Sequence, residues 1–327
     1  MHQRTEQEIM QNWKGDIGTP VVSICSTAYN LESCIVEAID SFLMQETNFP
    51  FEILIRDDCS TDKTDKIIKE YTAHYPKLIK PIYEKENTYS QGIKPMLQVI
   101  KIANGNYIAT CDADDYWTDP LKLQKQVDFL EKDPLYSACF HDCMIIYEGE
   151  KSNQKQHLRI GNRKIVEDVN LISIIDENNI DSSSIMFRNF IEEIPKYWTE
   201  ATSKVDYALM VLIAEHGKIK YLPEVMSVYR VHDSSIWSSR SEVYREEEAI
   251  KFYHLLQEHF SDDSHALKAL SRKLKYSYYL LSRKLVYDKQ RLKSLYYMIL
   301  SLDFLHHKHP NIKHYNYFKE LIKSIVK

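Results

Sequence analysis

Three carboxylates, Asp112, Asp114 and Asp115, fall within four positions of the stretch Thr110-Cys-Asp-Ala-Asp-Asp-Tyr-Trp-Thr-Asp-Pro120. Side by side they repel one another and raise one another's pKa. A divalent cation removes that penalty. Mg2+ or Mn2+ takes oxygen ligands and usually binds through one or two carboxylates together with substrate phosphates. The spacing therefore points to a metal–diphosphate, although alone it is equally the pattern of a solvated Asp-rich turn. A second acidic pair, Asp57-Asp58, follows Arg56, and Thr27-Ala-Tyr29-Asn30 offers a hydroxyl, a ring and an amide. Farther along, Tyr229-Arg230-Val231-His232 brings a guanidinium and an imidazole. Imidazole is an acceptable ligand of Mn2+, so His232 is a candidate to complete a metal shell or touch a diphosphate. Arg230 faces either phosphate or solvent. Cys139-Phe-His141-Asp-Cys143 also alternates metal-type residues. It lacks a second ligand pair, and one face of a strand is the better reading.

What must position these groups is a run of alternating strands and helices. Strands are expected at 21–26, 51–55, 78–83 and 107–111, each a short apolar run. Helices are expected at 31–44, 61–75, 94–103 and from Pro120 to Glu131, the last with its proline near the first turn. Repeated strand–helix units imply a mostly parallel sheet with helices on both faces. Ligands gather at the carboxyl ends of such strands. The 27–30, 56–58 and 112–115 stretches each follow a strand, so all three belong on one rim. Beyond them, 183–187 reads as a strand and 205–216 as a helix. Residues 218–229 read as an extended pair turning at Pro223. Helices follow at 243–260, 265–286, 292–304 and 315–326, with Pro310 breaking the last two apart.

Composition narrows the chemistry. Hydrophobic residues make up 44% of 327, enough to bury a sizeable core. Glycine is scarce, 7 residues, and neither GxGxxG nor GxxxxGK[ST] occurs, which excludes a dinucleotide fingerprint and a P-loop. Six cysteines lie in the first half without a framework spacing, and residues 1–14 are polar rather than signal-like. Reduced thiols and a cytoplasmic location are therefore expected. No apolar run approaches the ~18 residues of a membrane span. Net charge is −5 but uneven: residues 265–327 hold 14 Lys/Arg against 3 Asp/Glu, and residues 1–264 hold 28 against 44.

VVSICSTAYN, FEILIRDDCSTDKT and GNYIATCDADDYWTDPLKLQKQVDFL, in this order, resemble family 2 glycosyltransferases of the GT-A fold, of the bacterial surface-polysaccharide type. The resemblance continues through VDYALMVLIAEHGKIKYLPEVMSVYRVHDSSIW. Two departures stand out. Cys59 occupies a position where the family often has glycine, and the usual Asn-x-Gly appears as Asn87-Thr-Tyr-Ser-Gln-Gly92. The resemblance implies an α/β chain with a leader at 1–19 and a GT-A domain at 20–240. That domain has a nucleotide-sugar half at 20–133 and an acceptor half at 134–240, and a helical region follows at 241–327. It implies that Tyr29 lies against the nucleotide base and that Thr27 shapes that pocket. Asp58 would accept from the uracil imide N–H and Asp57 would orient the loop. Asp112 would contact the ribose or a metal-bound water. Asp114 would ligate the Mn2+ or Mg2+ that bridges both phosphates, with Asp115 beside it in a supporting role. Asp206 would be the general base. An acid at the start of a helix also suits the macrodipole. The reaction nevertheless needs a carboxylate apart from the metal cluster, to take a proton as the hydroxyl attacks the anomeric carbon.

The implied partners are a UDP-sugar and a saccharide or lipid-linked saccharide. The basic tail is compatible with a helical bundle that is cationic outside, with peripheral contact to anionic lipid at the inner face of the membrane, or with a homo-oligomer surface. Nucleic acid is not expected, since no recognised motif accompanies the charge. Trp237 would close over the sugar nucleotide, stack on a sugar or simply pack. Two rivals remain open at this point. A nucleotidyltransferase would need a Gly- and Lys/Arg-rich phosphate loop near the first strand, which STAYNLES does not supply. A catalytically silent sugar-nucleotide binder is opposed by Asp206.

Overall fold

The computed structural model describes residues 4–149, 156–159, 168–190, 193–200, 204–232, 240–287 and 290–308. Trp237, Pro310 and the helix expected at 315–326 lie outside them. The chain divides into two compact units that interleave along the sequence. The first comprises Met1–Asn170, Asn179–Glu193 and Leu212–Asp233; the second comprises Leu171–Asn178, Ile194–Val211 and Ser234–Lys327.

The first unit is built on one sheet. Strands β1 (Val22–Ala28), β2 (Phe51–Asp57), β3 (Ile79–Tyr83) and β4 (Tyr107–Thr110) alternate with helices α2 (Ile35–Leu43), α3 (Thr64–His74) and α4 (Pro95–Ile100), after a short α1 (Glu6–Met10). β5 (Tyr116–Trp117), α5 (Lys122–Lys132), β6 (Tyr136–Tyr147), β9 (Met186–Arg188) and β10 (Lys218–Val231) complete it, with small strands β7 (His157–Leu158) and β8 (Asp168–Val169). The order across the sheet is β3-β2-β1-β4-β9-β6-β10-β5. β3, β2, β1 and β4 are mutually parallel; β9 runs antiparallel to both β4 and β6. Every residue of β2 and β4 is buried, which explains their continuous apolar runs. The core contains Ile24, Ile39, Phe42, Ile53, Trp117 and Leu123. α1 adds Ile9 to it, with Met10 and Trp13 packed alongside, so the polar first segment is anchored by a few apolar residues.

Gly105 shows why a scarce residue sits where it does. A Cβ there would lie 2.4 Å from the backbone nitrogen of Ser23. The close approach lets the Gly105 N–H donate to Ser23 Oγ at 2.8 Å, and Ser23 in turn donates to the buried Glu52 at 2.6 Å. β4 is thereby set beside β1 at the level that brings their carboxyl ends together.

The hairpin expected at 218–229 is not formed. Residues 218–231 are one strand parallel to β6, with register shifts between Leu222 and Val225 and between Val225 and Ser227. Pro223 has no N–H to give the ladder, so it falls in a bulge rather than a turn. The first residues expected to be strand at 183–187 instead form a 3-10 turn, Ser182–Ser184, before β9. The cysteine–histidine alternation lies within β6, with Cys139, His141 and Cys143 all buried, and all six cysteines are free thiols.

The second unit is helical: α6 (Leu171–Asp176), α7 (Lys196–Glu200), the first part of α8 (Val205–Glu215), α9 (Glu242–His259), α10 (Ser264–Tyr287) and α11 (Arg291–Lys308). Ser241 caps α9 by accepting from Tyr244 N. The hydroxyl of Tyr207 donates toward the carbonyls of Ile174 and Ile175, 2.9 and 2.8 Å away, and ties α8 to α6. Among the described residues no helix is long and apolar enough to cross a membrane.

Candidate active site

The carboxyl ends of β1, β2 and β4 form the rim that the sequence points to. Near the end of β1, the Thr27 hydroxyl donates to Asp112 Oδ1 at 2.6 Å. The backbone continues the match: Ala113 N donates to Thr27 O at 3.0 Å, and Asp115 N to Asp112 O at 3.0 Å. The 3-10 turn of β9's approach supports the acidic stretch from beneath. Thr110 Oγ1 donates to Ser182 O, Trp117 Nε1 to Ser183 O, and Ser182 Oγ to Asp112 Oδ2 at 3.4 Å.

The three acids occupy three environments. Asp112 is half-buried and held by two hydroxyls. Asp115 is buried, accepts the Arg230 N–H at 2.9 Å, and has its carboxyl pushed well above the usual range, first by burial and then by the charge of Asp114. Asp114 keeps a partly exposed carboxylate that meets His232 Nε2 at 3.1 Å. That contact raises the His232 pKa against the opposing effect of burial. An oxygen and a nitrogen donor therefore face one another at the rim. Among the described residues no group of three or more His, Cys, Asp or Glu is arranged to hold a cation by itself. The pair still fits a divalent ion that arrives with phosphate and water ligands, because such ions need only one or two protein carboxylates.

Arg230 is engaged by the acidic turn and its neighbours. Its side chain is 4% exposed. The guanidinium pairs with Glu37 and with Glu148 at 3.0 Å, donates to the carbonyl of Asp114 at 2.8 Å, and lies 4.6 Å from the ring centre of Tyr116. It is a clamp on the acidic turn. Asp58 is likewise engaged within the protein. It is buried, and its carboxylate accepts from Thr88 N at 3.1 Å, from the Thr88 hydroxyl and from Tyr89 N at 2.9 Å. Three donors from the 87–92 loop take up most of its capacity as an acceptor. That loop is a single 3-10 turn, Tyr89–Gln91, ended by Gly92 at φ 84°.

Asp57 orients its loop as expected, accepting from Ser60 N and Ser60 Oγ. Cys59 sits between them at φ 64°, the left-handed region that explains why glycine is usual there. Asn30, at φ 53°, stitches the first loop to the second: its N–H donates to Ser60 Oγ and its side-chain oxygen accepts from Thr61 N. Tyr29 stands 42% exposed beside it, with its ring available to a flat partner. Asp206 belongs to the second unit, where it is exposed in the first turn of α8.

Sequence reasoning missed Glu37, Glu148, Tyr116, Thr88 and Ser182. Arg230 and Glu37 are 193 positions apart, a distance that no local pattern spans. The Ser182-Ser-Ser184 run was the one legible hint, since three hydroxyls are unusual in a buried strand.

The sequence profile described as glycosyl transferase family 2 matches residues 23–194. An uncharacterised protein of Mycobacterium tuberculosis is 40% identical over 222 residues, covering 67% of this chain and 61% of that protein. Escherichia coli WfaP, a UDP-Glc:alpha-D-GlcNAc-diphosphoundecaprenol beta-1,3-glucosyltransferase, is 29% identical over 238 residues, covering 71% of this chain and 86% of WfaP. Among solved structures, S. aureus TarS in complex with UDP-GlcNAc superposes with a TM-score of 0.59 at 19% identity, covering 85% of this chain and 79% of TarS. The mannosyltransferase PcManGT from Pyrobaculum calidifontis, in complex with GDP-Man and Mn2+, gives 0.53 at 16% identity, covering 96% of this chain and 89% of its own. These structural likenesses concern the fold, a mixed sheet with C-terminal helices.

Proposed function

Because the chain belongs to glycosyl transferase family 2, we propose that it moves a sugar from a nucleotide donor, UDP-linked, to a hydroxyl of a saccharide or lipid-linked saccharide, with inversion at the anomeric carbon. The observation that carries this is the Asp114–His232 pair, 3.1 Å apart, on a rim that also holds the half-buried Asp112. The relatives support the substrate class: WfaP is named for a UDP-sugar and a diphosphate-linked saccharide, and TarS was solved with UDP-GlcNAc. We place the chain's work in surface polysaccharide synthesis on the same grounds.

Tyr29 offers its exposed ring to the base. Thr27 and Ser182 fix Asp112 so that its carboxylate reaches the ribose or a water beside it. Asp114, His232 and, through its oxygens, Asp112 would hold Mn2+ or Mg2+, as the Mn2+ in the PcManGT complex suggests. When bound, the ion supplies charge neutralisation for the departing diphosphate. Asp206 takes the proton from the attacking hydroxyl, and that oxygen bonds to the anomeric carbon from the face opposite the leaving group. We assign Arg230 and Asp58 to holding the rim loops rather than to direct contact with the nucleotide. In this reading residues 20–133 serve the nucleotide sugar, 134–240 the acceptor, and 241–327 form the helical extension.

The test is a panel of nucleotide sugars with Mn2+, scored by nucleotide release and by NMR of the product. A UDP-sugar is expected to turn over only with an acceptor present. Asp206→Asn is expected to lower transfer by about 10²–10⁴ with nucleotide affinity unchanged. If Asp206→Asn instead removes nucleotide binding, the base assignment is wrong. Binding without turnover across the panel would favour the silent binder.

A further inference from the structure

The second unit contains a polar groove that the reaction above does not use. α9 and α10 run antiparallel, joined through residues 260–263: His254 meets Tyr278, Gln257 meets Ser271, and Lys284 reaches back to Glu242 and Glu246. Along α9 the positions 242, 245, 246, 249 and 253 share one face, and along α10 so do 273, 276, 277, 280 and 284. These faces enclose a cavity of about 380 Å³, within the ~300–1,000 Å³ range of small-molecule sites. Two small residues, Ala249 and Ser277, are among those that line it.

Its charge is lopsided. Lys204, Arg245, Lys273 and Lys284 line it against two carboxylates, Glu242 and Glu246. Both carboxylates lie within reach of one cation, Lys284, at 3.8 and 3.1 Å. Lys204 feels both signs: burial lowers its pKa, Glu246 opposes that, and Arg245, Lys273 and Lys284 add to the lowering. Cations crowded in a half-buried groove repel one another as the rim acids do, and an anion relieves them. Lys204 lies two residues before Asp206 in the chain, immediately ahead of α8.

We propose that the groove between α9 and α10, lined by Lys204, Arg245, Lys273 and Lys284, binds the phosphate or diphosphate group of the acceptor. Only the bearer of that anion rests on the transferase reading; the anion site itself stands on the groove. Tyr276, 42% exposed, and Leu280 give the groove apolar surface alongside its cations, which suits a diphosphate attached to an organic chain.

The experiment is calorimetry on the full chain in EDTA, so that no metal-bound diphosphate can form at the rim. Inorganic pyrophosphate and farnesyl diphosphate are titrated separately, and phosphatidylglycerol vesicles form a third arm. Both soluble diphosphates are expected to bind, farnesyl diphosphate more tightly. The double variant Arg245→Gln/Lys273→Gln should weaken both by about tenfold or more, the worth of one charge-assisted contact. Glu246→Gln should tighten pyrophosphate binding, a gain that misfolding cannot imitate. The proposal is overturned if pyrophosphate binds the double variant as well as the wild type, if Glu246→Gln does not strengthen it, or if only the vesicles bind. A parallel titration with UDP and Mn2+ keeps the two readings apart. Loss of groove binding with nucleotide binding intact retires the groove alone, and the reverse retires the transferase reading alone.

Discussion

The rim of the first unit and the groove of the second each gather charge of one sign, and they contain it differently. At the rim, Asp112 and Asp115 are fixed by hydroxyls and a backbone N–H, and Arg230 clamps the turn through the Asp114 carbonyl. Asp114 turns its partly exposed carboxylate toward an imidazole. In the groove four cations and two carboxylates line a cavity, and both carboxylates come within 3.8 Å of Lys284. The rim is cross-tied by hydroxyls, a backbone N–H and a guanidinium, the kind of fixing that orientation of a small ligand calls for. The groove is a cavity of about 380 Å³, a size that suits a larger anionic group. Charge crowding alone therefore says little; what surrounds the crowded charges says what they wait for.

The sharpest way to break this comparison is Arg230→Met. If Arg230 is a clamp, the change costs about 3 kcal/mol, since a buried, hydrogen-bonded cation is removed from its partners. Thermal unfolding should show it, with the residual folded protein still binding nucleotide. If Arg230 served phosphate, stability would hold and nucleotide affinity would fall. Next comes Asp114→Ala, expected to lower transfer by about a hundredfold while leaving the melting temperature nearly unchanged, because that carboxylate is partly exposed. An equal loss from Asp112→Ala would blur the distinction drawn between the two acids.

A smaller effect is expected at Lys122, a buried cation in the first unit that is not part of the rim. Burial pushes its pKa down from 10.5 to about 7, its ammonium lies 4.0 Å from the Trp117 ring centre, and Gln126 Oε1 accepts from it at 2.7 Å. The unfolded chain holds this proton up to about pH 10.5 and the folded chain only to about 7. The penalty is therefore complete below pH 7 and relieved as pH rises toward 10.5. Lys122→Met should stabilise the protein by about 1–3 kcal/mol at pH 7, and the gain should shrink across that window in denaturant titrations. A gain that does not change with pH would mean the ammonium is not desolvated. Smallest is Cys59→Gly. It removes a left-handed penalty of about 1 kcal/mol but adds chain entropy to the unfolded state. A net stabilisation of a few tenths of a kcal/mol is expected by the same assay.

Much of the rim was legible because its residues follow buried strands. The apolar runs before Thr27, Asp57 and Asp112 mark strand ends, and parallel order then forces those ends onto one edge. The Asp114–His232 contact was legible only as chemistry, since 118 positions separate the two. What stayed hidden was anything decided by burial. Asp58 reads as an acceptor for a base by its type, and nothing local shows that Thr88 and Tyr89 donate to it. Arg230 alternates with Tyr229 and Val231 on a strand, and alternation cannot say which side meets Glu37. Pro223 signalled a turn by type, whereas a long strand absorbed it as a bulge. The groove was visible only as an excess of Lys and Arg along helices, with no clue to the cavity they line.

The most direct measurement is the affinity of UDP for the full chain by calorimetry, with manganese supplied and with manganese chelated, in the wild type and in Asp114→Ala. The account expects UDP to bind the wild type at least about tenfold more tightly with manganese, as a bridging ion requires, and expects Asp114→Ala to erase that difference. Equal affinity in both conditions, with the variant indistinguishable from the wild type, would contradict it.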